Sequence, residues 1–175
     1  MKFRIGVGAA QVALIGDEQY PVALAEIIEG SRLRLLCSIF IVDLAPRRDR
    51  ELAVDKVLHS LADAVWRGVD ARLLIGGSRT NTELIELAHA GRQRALSLGI
   101  PCRWLTASRR RGSHSKFVVA DDAVLSGSHN WSVSAFAEST QDSVLVRSPD
   151  LAAYVASMFE KQWGRARTEE QRAPI

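Results

Sequence analysis

The chain has 175 residues, 47% hydrophobic and 25% charged, with 23 basic and 20 acidic side chains and a formal net charge of +3. That length fits one domain. The composition can bury a real core, which excludes a disordered or low-complexity chain. A mild positive balance does not by itself mark a nucleic-acid binder. No apolar run approaches the roughly 18 residues of a membrane-spanning helix. The opening MKFRIGVGAAQVALIG has two basic residues before an apolar stretch, but Gly6, Gly8, Gln11 and Asp17-Glu18 make a poor signal peptide. Residues 3–16 are therefore expected to be extended structure, and the chain to be cytoplasmic.

Pro21 to Glu29 is predicted to be helical: proline suits a first turn, and Val22, Leu24, Ala25, Ile27 and Ile28 supply the apolar positions. Gly30-Ser31 ends that helix. Leu33 to Val42 is nearly all apolar, as a strand covered on both faces should be. Arg47 to Arg67 has Leu52, Val54, Val57, Leu58, Leu61 and Val65 near helical spacing and stops at Gly68. Val69 to Ile75 reads as the next strand. The Gly76-Gly77-Ser78-Arg79 turn that follows lacks the Lys-Ser/Thr of a phosphate loop. Thr80 or Asn81 can cap a helix running to Leu98, with Glu83 and Glu86 near its positive end. Cys102 to Leu105 is a strand. Cys37 and Cys102 both fall in apolar runs and read as buried free thiols; no Cys or His pair has zinc spacing.

FVVADDAVL reads as two short strands joined at Asp121-Asp122, a hairpin signal. Asp142 to Val146 is a last strand and Asp150 to Trp163 a last helix. The expected architecture is α/β: a mixed, mostly parallel sheet with helices on both faces. Residues 1–163 form the domain, and 164–175 a loose charged tail.

The chemistry gathers at this hairpin. His114 and Lys116 alternate, so both leave one face of an extended strand. Ser128 and Asn130 follow after a small-residue turn, and pairing the strands brings Asn130 to the same sheet end as Lys116. An imidazole nucleophile beside an ammonium, a hydroxyl and an amide is what attack on a phosphodiester needs. His129, between Ser128 and Asn130, should point away; His59 and His89 lie inside helices. All three read as bystanders. Trp131 either stacks on a base or fills the core. Arg109, Arg110 and Arg111 are either a solvated loop or contacts to a polyanion backbone, the second being favoured beside a phosphate site.

His114-Ser115-Lys116, then Asp121, then Gly127-Ser128-His129-Asn130 resemble the HxK…D…GSxN signature of the phospholipase D superfamily, and the small single-motif bacterial endonucleases in particular. The alternation of strands and helices from about Val12 to Trp163 fits one such domain. The family pattern is one residue longer between the aspartate and the Gly-Ser pair than the five residues separating Asp121 from Gly127. The resemblance implies a phospholipase D-like fold and a covalent phosphohistidine on His114. Lys116, Ser128 and Asn130 would hold the phosphate, and Asp121 would be structural. It also implies that Asp142, where glutamate is commoner, accepts a hydrogen bond from the nucleophile and fixes its tautomer. The family chemistry uses two histidines, one attacking and one protonating the leaving oxygen. A chain with one motif is then expected to form a homodimer with both His114 copies at one phosphate on a two-fold axis.

The expected function is a metal-independent phosphodiesterase without cofactors, a low-specificity nuclease whose partner is nucleic acid, DNA before RNA. A phospholipase D-type lipid phosphodiesterase is the rival enzyme, but it should need an apolar entrance or an amphipathic membrane helix, and neither is evident. A non-catalytic DNA-binding module is the rival of another class; the intact His-Lys-Asn set argues against it.

Overall fold

The computed structural model describes residues 10–44, 53–78, 80–106 and 113–166. In chain order the elements are β1 (Gln11–Gly16), α1 (Gln19–Gly30), β2 (Arg34–Ile39), α2 (Ala53–Trp66), β3 (Asp70–Gly77) and α3 (Thr82–Ser97). β4 (Cys102–Thr106), β5 (Lys116–Ala120), β6 (Ala123–Gly127), α4 (Val133–Ala137), β7 (Asp142–Arg147) and α5 (Pro149–Trp163) complete the series. The strands form one seven-stranded sheet in the order β1-β7-β6-β5-β2-β3-β4.

The sheet is mixed, as expected, but parallel pairs are the minority. β2–β3 and β3–β4 are parallel; β1–β7, β2–β5, β5–β6 and β6–β7 are antiparallel. At the hairpin a short connection is the reason: β5 turns directly into β6, and two strands joined that tightly must run antiparallel. The parallel half is where helices α2 and α3 make the crossovers.

Both faces are covered. Leu24 and Ile28 of α1 and Leu58 and Leu61 of α2 pack on Leu35, Cys37, Leu73 and Val118. On the other face, Ala152, Ala156 and Phe159 of α5 pack on Leu36, Leu74, Phe117 and Val119. Neighbouring residues of β2 thus enter opposite cores, which is why that strand has no polar alternation. Deleting one such side chain, for example Leu58→Ala, should cost about 2–5 kcal/mol. Arg72 of β3 ties down α5: its guanidinium lies over the Phe159 and Trp163 rings and bonds Glu160. Cys37 and Cys102 are buried and free. Burial pushes the Cys102 thiol up to about 12 and raises the Cys37 thiol as well.

Capping follows the sequence. Asn81 Oδ1 accepts from Leu84 N at 3.0 Å, and α5 starts at Pro149 behind a Ser148 cap. Helix α4 was not among the expected elements. Five residues are too few to show a periodicity; Ser132 fixes it by accepting from Ala135 N at 3.1 Å. β2 stops at Ile39 rather than Val42, because the chain bends at Phe40 and Val42 then bridges Trp131. Among the described residues no helix is long and apolar enough to cross a membrane.

β2, β3 and β4 all end at one edge of the sheet. β5 begins there, since Lys116 pairs with Ile39, and β6 ends there, since Gly127 pairs with Ser143. In open α/β sheets this carboxyl edge is where ligands bind.

Candidate active site at the carboxyl edge of the sheet

The hairpin that carries the motif is fixed at its turn. Asp121 has φ 51°, the left-handed region that aspartate tolerates better than most residues. Its carboxylate accepts from Arg32 N at 2.8 Å, Leu33 N at 2.9 Å and Arg34 N at 2.9 Å. Partial burial raises its pKa, but these N–H groups, Arg34's first, hold it below the ordinary carboxylate value. Asp121 is a staple between the turn and the start of β2, at the opposite end of the hairpin from the site.

The open end holds the reactive groups. Lys116 is 8% exposed, too buried for a solvated strand-end lysine. Its Nζ lies 3.0 Å from His114 Nδ1 and donates to His114 O at 3.0 Å. Phe40 is the wall behind both: its ring centroid is 4.3 Å from that of His114 and 5.1 Å from Lys116 Nζ. Burial lowers the Lys116 pKa. Burial, and then the Lys116 charge, lower that of His114, which favours the neutral imidazole. A protonated Lys116 donating to Nδ1 leaves the ring hydrogen on Nε2.

Asn130 is aimed by the strand beside it. Its Oδ1 accepts from Ile41 N at 3.2 Å, which leaves the two Nδ2 hydrogens as donors. Ser128 is differently engaged. Its hydroxyl donates to Asp142 O and accepts from Asp142 N, both at 3.1 Å, and its own N–H donates to Asp142 O at 2.8 Å. That hydroxyl joins the motif to β7 in the free chain. Gly127 before it must be glycine, because a Cβ would collide with Asp142 O and Ser143 Oγ. Within one protomer it is Lys116, not Asp142, that meets Nδ1 of His114.

Trp131 is a correction. It is fully buried, and its Nε1 donates to Tyr20 Oη at 3.3 Å. It cannot stack on a base, because its backbone pairs with Ile41 and Asp43 and draws the ring under the site. His129 points away from the phosphate side, as expected: it is fully buried and stacks on Tyr20 at 4.1 Å, with Nδ1 2.9 Å from Ser143 Oγ. His59 sits in an ion-pair cluster with Asp55 and Arg94, and His89 against Trp104. Arg109, Arg110 and Arg111 lie outside the described residues. Among the described residues no group of three His, Cys, Asp or Glu side chains is placed to hold a metal ion.

Phe40, Ile41 and Gly76 were not among the candidates. Phe40 and Ile41 end a uniformly apolar run, in which nothing local separates a site residue from a core residue. The adjacent glycines 76 and 77 were a usable signal, since paired glycines at a strand end mark close approach by a neighbour.

A family model described as cardiolipin synthase, PLD-like domain, matches residues 28–163. The chain belongs to the phospholipase D superfamily. That membership makes phosphodiester chemistry the activity at family level. The fold is shared with Nuc of Salmonella typhimurium, a phospholipase D family member, at a TM-score of 0.72 and 21% identity over 90% of this chain and 97% of that one. NucT of Helicobacter pylori is similar at a TM-score of 0.66 and 16% identity, over 90% and 98%. Phosphatidylserine synthase of Haemophilus influenzae Rd KW20 is similar at 0.64 and 15%, over 86% of this chain and 36% of that one. No curated protein sequence matches the chain.

Proposed function

We propose that the chain is a metal-independent nuclease that works as a homodimer through a phosphohistidine. The observation that carries this reading is the His114 imidazole held 3.0 Å from the Lys116 ammonium, with the Asn130 amide oriented at the same sheet edge.

His114 of one copy attacks phosphorus through Nε2. A P–N bond forms while the P–O bond to the leaving oxygen breaks, and His114 of the second copy, which enters the step as the imidazolium, gives that oxygen a proton and is left neutral. The second imidazole then takes a proton from water; the hydroxide attacks phosphorus, the P–N bond breaks and the nucleophile is restored. Lys116 and Asn130 hold the non-bridging oxygens. Attack through Nε2 needs the ring hydrogen on Nδ1, so Lys116 must leave Nδ1 for the phosphate when substrate arrives. Val12 and Leu14, 64% and 72% exposed on β1, provide apolar surface for a second copy, four and two residues from Gly16, which pairs with Asp142 at the site edge. The nuclease reading draws support from the likeness in fold of 90% of this chain to Nuc and NucT, each nearly covered by it.

The test is cleavage of labelled single- and double-stranded DNA, RNA and phosphatidylcholine vesicles, each with and without EDTA. Cleavage of nucleic acid unaffected by EDTA is expected. Complete loss in EDTA restored by magnesium or manganese overturns the metal-free mechanism; turnover of the lipid alone overturns the substrate. Sedimentation should give twice the 19.2 kDa chain mass. Replacing Arg109, Arg110 and Arg111 together should flatten the salt dependence of duplex DNA binding, by about 0.9 in log–log slope for each phosphate that is no longer neutralised.

A further inference from the structure

Something must hold the His114 ring in place, and among the described residues it is Lys116 and Phe40 that meet it. Two bonds from Lys116 reach it, one to Nδ1 and one to its carbonyl, and Lys116 is the group that has to move to the phosphate. A second neighbour of the imidazole is Phe40. The Phe40 ring meets His114 at 41° and lies beneath the Lys116 ammonium. Gly76 of β3 supports it from behind. A Cβ there would be 2.8 Å from Phe40 Cδ2, 3.0 Å from Phe40 Cα and 3.1 Å from Ser113 O, the carbonyl just before His114. β2, β3 and the approach to β5 therefore build one stack, Gly76–Phe40–His114.

We propose that Phe40 is a positioning residue of this site: its ring is the fixed wall that keeps His114 aligned when Lys116 transfers from the imidazole to the phosphate, and position 76 is glycine to leave that ring its space. The proposal rests on the reading of His114 as nucleophile. A flat aromatic wall suits the task. It limits tilting of the imidazole without supplying a hydrogen bond that would compete for either ring nitrogen, and it attracts the ammonium through its π face while Lys116 is in place. Gly76→Ala reaches the same stack from the opposite side, by pushing on Phe40 and Ser113.

The experiment combines turnover with NMR of His114 in the free homodimer, for wild type, Phe40→Ala, Phe40→Leu, Phe40→Tyr and Gly76→Ala. In Phe40→Ala the His114 Hδ2 and Hε1 signals should lose their ring-current shift. Its titration midpoint should rise toward the ordinary histidine value, because water replaces the wall, and kcat should fall by about 10–100-fold. Phe40→Tyr, which keeps the ring, should restore signals and turnover. Phe40→Leu keeps volume without a ring; it should fall between and carries the test if the alanine variant does not fold. Gly76→Ala should shift the same signals and lower kcat. An active wild type whose Phe40→Ala or Phe40→Leu variant keeps its kcat overturns the role of Phe40 alone, whatever happens to the His114 shifts. A wild type that cleaves no diester overturns the functional reading, and the role of Phe40 with it.

Discussion

At the turn end of the β5–β6 hairpin the Asp121 carboxylate accepts from three backbone N–H groups. At the open end, four strand residues away, Lys116 and Asn130 retain donors beyond the bonds they make to His114 and Ile41. Both ends belong to one sequence motif, and both place a polar group where burial penalises it. At the turn the penalty is offset inside the protomer by backbone donors, so the result is stability. At the edge it is offset only in part, so a charge and an amide are left ready for an oxyanion beside the imidazole. The same signature thus contains a structural half and a chemical half, and substitution can separate them.

The largest effect should come from the chemical half. His114→Ala removes the proposed nucleophile, and turnover should fall by at least about 10³-fold. His114 is exposed, so the melting temperature should stay within a degree or so of wild type, as surface substitutions ordinarily do. Mixing wild-type chains with an excess of this variant sharpens the point, because a composite site needs both imidazoles. Activity should follow roughly the square of the wild-type fraction; a linear decline would mean that each protomer works alone.

The structural half should show the opposite separation. Asp121→Ala strands the Arg34 N–H in a part-buried setting and releases two more to water. It should cost about 2–4 kcal/mol while the folded fraction keeps near-normal turnover. Asp121→Asn should cost less, because asparagine keeps an acceptor and tolerates the positive φ. The pKa of Asp121 is lower in the folded chain than in the unfolded one. Its contribution is therefore present above the unfolded value of about 4 and is lost as pH falls through the folded value. That acid-side slope should be missing from the asparagine variant. A loss of turnover in Asp121→Asn larger than its loss of stability would break the separation.

Much of this division could be seen in the sequence, and what could not has a physical reason. His114 and Lys116 on alternate positions, with Asp121-Asp122 between two apolar runs, are local patterns, and local patterns determined the hairpin, its register and the ends that face each other. The Asn81 cap and the apolar stripe of α2 were equally local. Trp131, Ser128 and Phe40 depend instead on which strand lies alongside. The Val42–Trp131 bridge buries the tryptophan, β7 takes the serine hydroxyl, and the bend after Ile39 brings Phe40 to the imidazole. No periodicity encodes these meetings of distant segments. The balance of parallel and antiparallel pairs is likewise a property of strand order, which the β-α alternation leaves open.

Ser128 tests the boundary between the halves. In the free chain its hydroxyl bonds the Asp142 backbone in both directions, which is the behaviour of the turn end rather than of the edge. Ser128→Ala should then cost about 1 kcal/mol of stability, and turnover should fall by no more than about tenfold, through loosening of the Gly127–Asn130 segment. A loss of about 10²–10³-fold without a change in melting would place the hydroxyl on the phosphate in the transition state.

The smallest effect concerns His129, the histidine that the motif does not use for chemistry. It lies one residue from Asn130 yet is fully buried, stacked on Tyr20 and bonded to Ser143. Burial lowers its pKa; the backbone and charge of Asp17, with those of Asp142, pull the other way without reversing the shift. The sign follows. The unfolded chain binds a proton at about pH 6.5 that the folded chain refuses, so the contribution of His129 is complete above that pH and declines as pH falls below it. His114 is shifted in the same direction, by burial and then by Lys116, so the measurement belongs in the His114→Ala background. There the melting temperature should drop shallowly between about pH 7 and pH 5, and His129→Gln should flatten that part of the curve. An NMR midpoint for His129 above the ordinary histidine value would reverse the sign. It would make the ring an ion partner of Asp17 and Asp142, and would move it from the structural half of the motif toward the chemical one.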